Sequence, residues 1–171
     1  ARCRARRGRF SVRHHALHEP AQNRRQQSRD LLAAAAAEYP EVALKDETRD
    51  YTTLLVTGPK SRGLLSALSG ADFSNDSFAW LTHQIIRIDG INCVAMRVSF
   101  TGELGWELHI PVDHSDKIYT LLRQKGADFN LKPFGMLALE SMRLEKGYRS
   151  WKGDLTSDYN MFDAGLRRWV P

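Results

Sequence analysis

Residues 83–110 confine this chain to an antiparallel sheet. Asp89-Gly90 sits between the runs 83–88 (HQIIRI) and 91–100 (INCVAMRVSF). An Asp-Gly pair between apolar runs is the strongest short-range signal for a two-residue hairpin, whose turn needs φ > 0 at both central positions. The stretch Arg97–Ile110 (RVSFTGELGWELHI) then turns again. Val98 and Phe100 alternate with Arg97 and Ser99, and a bend over 101–105 carries Gly102 and Gly105. Such glycines permit backbone conformations that a side chain would oppose. Trp106, Leu108 and Ile110 then fall on one face, with Glu107 and His109 on the other. The expectation is a meander of strands 83–88, 91–100 and 105–110. Spacing alone leaves Glu107 open between a solvated acid on the outer face and one that meets a ligand.

The flanking segments supply helices. Leu31-Leu32 and the alanines 33–37 have high helix propensity, and Tyr39-Pro40 ends that element. Thr52–Val56 reads as a buried strand. Thr57-Gly58-Pro59 leads from it into a helix with Leu64, Leu65 and Leu68 on one stripe and a stop near Gly70. Gly58-Pro59-Lys60-Ser61 lacks the glycine spacing of a phosphate-binding loop, so it is an ordinary strand-to-helix joint. Asp113 is placed to cap a helix carrying Ile118, Leu121 and Leu122 and ending at Gly126. Pro133 opens a helix over about 134–146 that is apolar on most sides, which predicts burial. Glu140 and Arg143 are spaced to pair on it, either structurally or within a site. Gly147 supplies its left-handed terminus, 151–158 is a polar loop, and Phe162–Trp169 begins another element. Hairpins interleaved with helices indicate an α+β layer fold.

Charge divides the chain. Residues 1–30 hold nine arginines against Glu19 and Asp30, a net +7, which leaves −2 for the other 141 residues. Three readings of this head stay open. A transit-like peptide fits the composition, though no amphipathic arginine face can be drawn. A nucleic-acid-binding arm fits the charge, yet no aromatic beyond Phe10 interleaves with it. A disordered or non-native extension fits the change of composition at Leu31. His14, His15 and His18 lack a carboxylate or cysteine at ligand spacing, so no metal site is expected. Two cysteines, Cys3 and Cys93, make no disulfide framework, and a reducing compartment follows, bacterial cytoplasm or mitochondrial matrix. No apolar run is long enough to cross a membrane. The chain starts without methionine and stops at Trp169-Val170-Pro171, so a piece truncated at both ends is expected.

Three blocks in order, RVSFTGELGWELHIP from Arg97, GMLALESMRLEKGY from Gly135 and WKGDLTSDYNMFDAGL from Trp151, resemble the aminomethyltransferase folate-binding family. That family includes the glycine-cleavage T-protein and the carboxy-terminal parts of dimethylglycine and sarcosine dehydrogenases. GELGWELH is closer to the dehydrogenase branch, and Leu139 stands where T-proteins carry arginine. The resemblance covers about residues 31–171, a partial folate-binding domain, and leaves 1–30 as a separate basic segment. It implies that Glu107 accepts the paired donors of a reduced pterin, the 2-amino group and a ring N–H, as a carboxylate accepts a guanidinium. It also implies that Phe100, where the family usually has tyrosine, packs on the ligand without a hydroxyl to offer. Glu103, Trp106 and Trp151 are secondary candidates.

The implied cofactor is tetrahydrofolate, and the implied partners are a small N-methyl amine and a flavin domain elsewhere in the polypeptide. No GxGxxG fingerprint places FAD on this chain. The implied product is 5,10-methylenetetrahydrofolate. The family's catalytic aspartate falls at or before the head, where Asp30 has unmatched surroundings, so no catalytic residue is assigned. A stand-alone T-protein and a basic-armed nucleic-acid-binding module are the alternatives.

Overall fold

Strand β6 (Gly105–Pro111) is hydrogen-bonded on both sides and organises the main sheet. In the computed structural model, which describes residues 10–12, 20–150, 153–156 and 158–170, nine further regular elements surround it. They are β1 (Phe10–Val12), α1 (Pro20–Ala36), β2 (Leu44–Asp46), β3 (Tyr51–Thr57), α2 (Ser61–Ser69), β4 (His83–Ile88), β5 (Ile91–Met96), α3 (Ser115–Gly126) and α4 (Met136–Glu145). The main sheet has the order β3-β6-β5-β4, every neighbouring pair antiparallel. β1 and β2 form a separate parallel pair. The fold is α+β, as the sequence indicates.

Alternation along β6 decides which side is core. Trp106, Leu108 and Ile110 are fully buried. Opposite them on the same face lie Val56 of β3 and Ala95 of β5, and Leu64 and Leu65 of α2 and Ile118 and Leu122 of α3 complete the cluster. Trp106 is held edge-on by Phe73 at 5.2 Å between ring centroids. The guanidinium carbons of Arg62 and Arg97 each lie 5.8 Å from its ring centroid, a cation–π range. The other face carries Glu107, His109, Met96 and Ile85, and Ile85 is 72% exposed.

The Asp89-Gly90 hairpin forms as expected, with φ of 48° and 80°. α2 ends at Gly70 in the left-handed region, φ 69°, whose N–H donates to Ser66 O at 2.8 Å. Several expectations change. β5 stops at Met96 rather than continuing to Phe100, because Val98 N–H turns back onto Met96 O at 3.0 Å. Arg97 instead exchanges backbone bonds with Leu81 and Thr82, and Phe100 sits in a bend. Of the two turn glycines only Gly102 has positive φ, 72°. Gly105 is extended, and a Cβ there would lie 3.0 Å from Thr57 Oγ1, so its smallness serves the close approach of β6 to β3.

The alanine run is the tail of α1 rather than a helix of its own, so the compositional boundary at Leu31 falls inside one helix. Asp113 lies in a 3-10 turn (Val112–His114) and does not cap α3, while Ser115 Oγ donates to Val112 O at 2.9 Å. α3 runs on through a 3-10 turn to Asn130, which takes the left-handed conformation expected of Gly126. α4 is not buried: Leu137 is 88% exposed, and its one buried residue is Arg143. Periodicity alone does not say which neighbours a helix has. Within the C-terminal stretch the one regular element described is a 3-10 turn over Arg167–Trp169.

The two faces predict opposite responses to truncation. Leu108→Ala removes a fully buried side chain and is expected to cost about 2–5 kcal/mol in denaturant unfolding. Ile85→Ala, on the outer face, should change stability by no more than about 0.5 kcal/mol.

Burial also pushes the Cys93 thiol up to about 11, so it remains protonated at neutral pH. In a Cys3→Ser background, an aqueous thiol reagent should label Cys93 only once the protein is unfolded. Rapid labelling of the native chain would contradict its burial.

Candidate functional site

Glu107 lies in the middle of β6, directly opposite Leu55 on β3 and Met96 on β5. Its side chain is 28% exposed on the outer face of the sheet. Two residues along, and therefore on the same face, His109 is only 4% exposed. His109 Nδ1 is 3.0 Å from Thr53 Oγ1, and Nε2 is 3.2 Å from Met96 Sδ and 3.7 Å from Glu107 Oε2. A carboxylate flanked by two apolar side chains and backed by a buried imidazole is well placed to accept donors from a flat polar ring.

Beside this cluster runs a cavity of about 760 Å³, bounded by β3, the start of α2, α3, the 129–135 loop and α4. Thr53 and Leu55 line it and share the face that carries Glu107. Neither Glu107 nor Phe100 lines it, so the cavity opens one strand away from the carboxylate. Lys60, Arg123 and Lys132 lie on its wall and form no ion pair among the described residues. The volume is in the range of small-molecule sites.

The bend 97–104 is fixed to the β3–α2 joint by hydroxyl groups. Thr101 is fully buried, with Oγ1 2.9 Å from Thr57 Oγ1 and 3.1 Å from Ser99 Oγ. The Leu104 carbonyl accepts from Gly58 N–H at 2.7 Å, Ser61 Oγ at 3.2 Å and Thr57 Oγ1 at 3.3 Å. Glu103 lines the cavity and pairs with Lys146 at 3.1 Å. A Cβ at Gly102 would overlap the Lys146 side chain, so glycine is required there twice over, by φ and by space.

The residues singled out from sequence thus separate. Glu107 faces outward beside the cavity, Glu103 lies on the cavity wall, and Phe100 is half-buried in the bend. Trp106 belongs to the core on the opposite face, so it cannot stack on a ligand that meets Glu107. Trp151 lies outside the described residues, as do His14, His15 and His18. Leu139 lines the cavity, and Asp30 is on α1, where Gln26 Nε2 donates to it at 2.8 Å. The sequence puts His109 on the face of Glu107 without giving it a role and sets Lys60 aside within an ordinary strand-to-helix joint, while Thr53, Arg123 and Lys132 carry no signal as site residues. The same alternation that marks Glu107 also marks His109.

Glu140 and Arg143 meet as their spacing predicts. Arg143, 6% exposed, donates from Nε and Nη2 to Glu140 Oε2 at 2.8 and 2.6 Å and from Nη1 to Tyr148 O at 2.9 Å. Nη1 also contacts Asp154, which in turn accepts from Ser150 N–H at 2.8 Å. The end of α4 is therefore tied to the following loop. The Ser150 N–H, and then the Arg143 guanidinium, hold the Asp154 carboxyl below the usual carboxylate range.

A carboxyl whose pKa falls on folding stabilises above its ordinary range and loses that contribution as pH drops through its folded value. The protection factor of the Ser150 amide, that is the intrinsic exchange rate at each pH relative to the observed one, should therefore fall in the wild type once pH drops below the ordinary aspartate value of about 3.9. In Asp154→Asn that protection should already be lower at neutral pH and show no further loss in acid.

Among the described residues no three His, Cys, Asp or Glu side chains gather at metal-binding distance, and no helix is long and apolar enough to cross a membrane. Residues 9–171 match the family described as GCVT N-terminal domain. Human mitochondrial sarcosine dehydrogenase is 42% identical over 123 residues, 72% of this chain and 13% of that protein. Mouse mitochondrial dimethylglycine dehydrogenase is 35% identical over 130 residues, 76% of this chain and 15% of that protein. The alpha subunit of sarcosine oxidase from Corynebacterium sp. (strain P-1) is 34% identical over 137 residues, 78% of this chain and 14% of that protein. These relatives are enzymes, and the chain spans less than a sixth of the length of each.

Proposed function

The chain belongs to the GCVT N-terminal domain family, and from that premise we propose that it is the tetrahydrofolate-holding part of an amine-demethylating flavoenzyme of the sarcosine and dimethylglycine dehydrogenase kind. The observation that carries this reading is Glu107, a partly buried carboxylate between Leu55 and Met96 on the outer face of the sheet. A reduced pterin presents two adjacent donors that one carboxylate accepts together, which fixes the plane of the ring as well as adding affinity. Leu55 and Met96 would flank the ring with apolar surface. Lys60, Arg123 and Lys132, without acidic partners among the described residues, suit the carboxylates of the folate tail.

Tetrahydrofolate would supply the nitrogens that take up the one-carbon unit, giving 5,10-methylenetetrahydrofolate. The role of this chain would be to bind and orient the pterin and to keep water from a hydrolysable iminium. A flavin domain elsewhere in the longer polypeptide would oxidise the N-methyl amine. Leu139, where T-proteins have arginine, and the dehydrogenase relatives favour this reading over a stand-alone T-protein.

Titration of tetrahydrofolate against wild type and Glu107→Ala tests it. Loss of a charge-assisted contact should weaken binding roughly ten- to a hundredfold. Equal affinity would remove Glu107 from the site.

A further inference from the structure

We infer that His109 is a positioning residue for Glu107, which makes the grip of that carboxylate on a two-donor ring depend on the protonation of the imidazole. The inference rests on the folate reading of Glu107. His109 is nearly fully buried, yet both of its nitrogens face polar or polarisable atoms on three different strands: Thr53 on β3, Met96 on β5 and Glu107 on β6. Thr53 stands directly across from it in the register, and a hydroxyl can serve as donor or acceptor. Nδ1 is therefore satisfied in either protonation state.

Nε2 lies between the Met96 thioether and the Glu107 carboxylate. With the ring protonated, Nε2–H carries positive charge toward Oε2. At 3.7 Å the imidazole attracts the carboxylate without hydrogen-bonding to it, so both oxygens of Glu107 remain able to accept from a ligand. The histidine would thus hold the carboxylate in one rotamer without occupying it. The other titratable or charged groups that the register puts on this face are Tyr51 on β3 and His83 and Arg87 on β4. His83 and Arg87 are two strands away from β6, and Tyr51 is opposite Pro111.

The test is tetrahydrofolate binding by the whole chain and its variants across a pH series from about 5 to 8. Wild-type affinity should be highest at the acid end and fall as the imidazole loses its proton. His109→Leu should bind about three- to tenfold more weakly at the acid end and lose the pH dependence. His109→Gln, which keeps an N–H donor, should recover most of the affinity but stay flat with pH.

Thr53→Val keeps the histidine and the shape of the threonine, and should lower affinity and blunt the profile. It carries the test if His109→Leu does not fold. A wild-type profile in either His109→Leu or Thr53→Val overturns the inference, provided Glu107→Ala binds weakly. Equal binding by Glu107→Ala and wild type would instead bring down the folate reading, and this inference with it.

Discussion

One carbonyl ties the molecule together. Leu104 O lies at the end of the bend between β5 and β6 and accepts from the Gly58 peptide and from the hydroxyls of Ser61 and Thr57. The Gly58 N–H at 2.7 Å is the main donor; the Ser61 hydroxyl, whose shorter bond is to Gly58 O at 2.6 Å, and the Thr57 hydroxyl are weaker contacts beside it. The Gly58–Leu104 bond continues the β3–β6 register past the last strand pair, Thr57↔Gly105. It thereby sets which residues of β6 face the helices. A slip of one residue would exchange Trp106 for Glu107 in the core, which neither face would tolerate.

What the sequence made legible was local. The Asp-Gly hairpin, the strand before Gly58, the helix stopped by Gly70 and the alternation of 105–111 all follow from turn chemistry and period. The pairing of β3 with β6 joins residues about fifty positions apart, and no window of sequence contains both. Nor could period reveal that β5 stops at Met96, because apolar residues continue through Phe100 while the backbone turns back on itself. α4 failed for a related reason. Its apolar circumference is real, but burial is a property of neighbours, and the residue that ends up inside is the charged Arg143, enclosed by Glu140, Asp154 and a carbonyl.

The candidate site shows the same division. Glu107 could be marked from its strand position and from the family resemblance. His109 was visible on the same face, but its meaning depends on Thr53 across one strand and Met96 across the other. Lys60, Arg123 and Lys132 are scattered through three segments and converge only in the fold. The net +7 of the first thirty residues draws attention to one end of the sequence. The cations on the cavity wall belong to a stretch whose overall charge is slightly negative.

β3 occupies an end of the sheet, and its even-numbered residues bond to β6, as the Asp50–Val112 and Gly58–Leu104 bonds show. By alternation, the peptide groups of Thr53, Leu55 and Thr57 point the other way, along the cavity. A sheet edge is a template for strand addition, and here the 129–135 loop and α4 stand across the cavity from it, so only a segment that enters the cavity can reach these groups. The same wall that encloses the cavity thus shields the outward-pointing peptide groups of β3 from another strand.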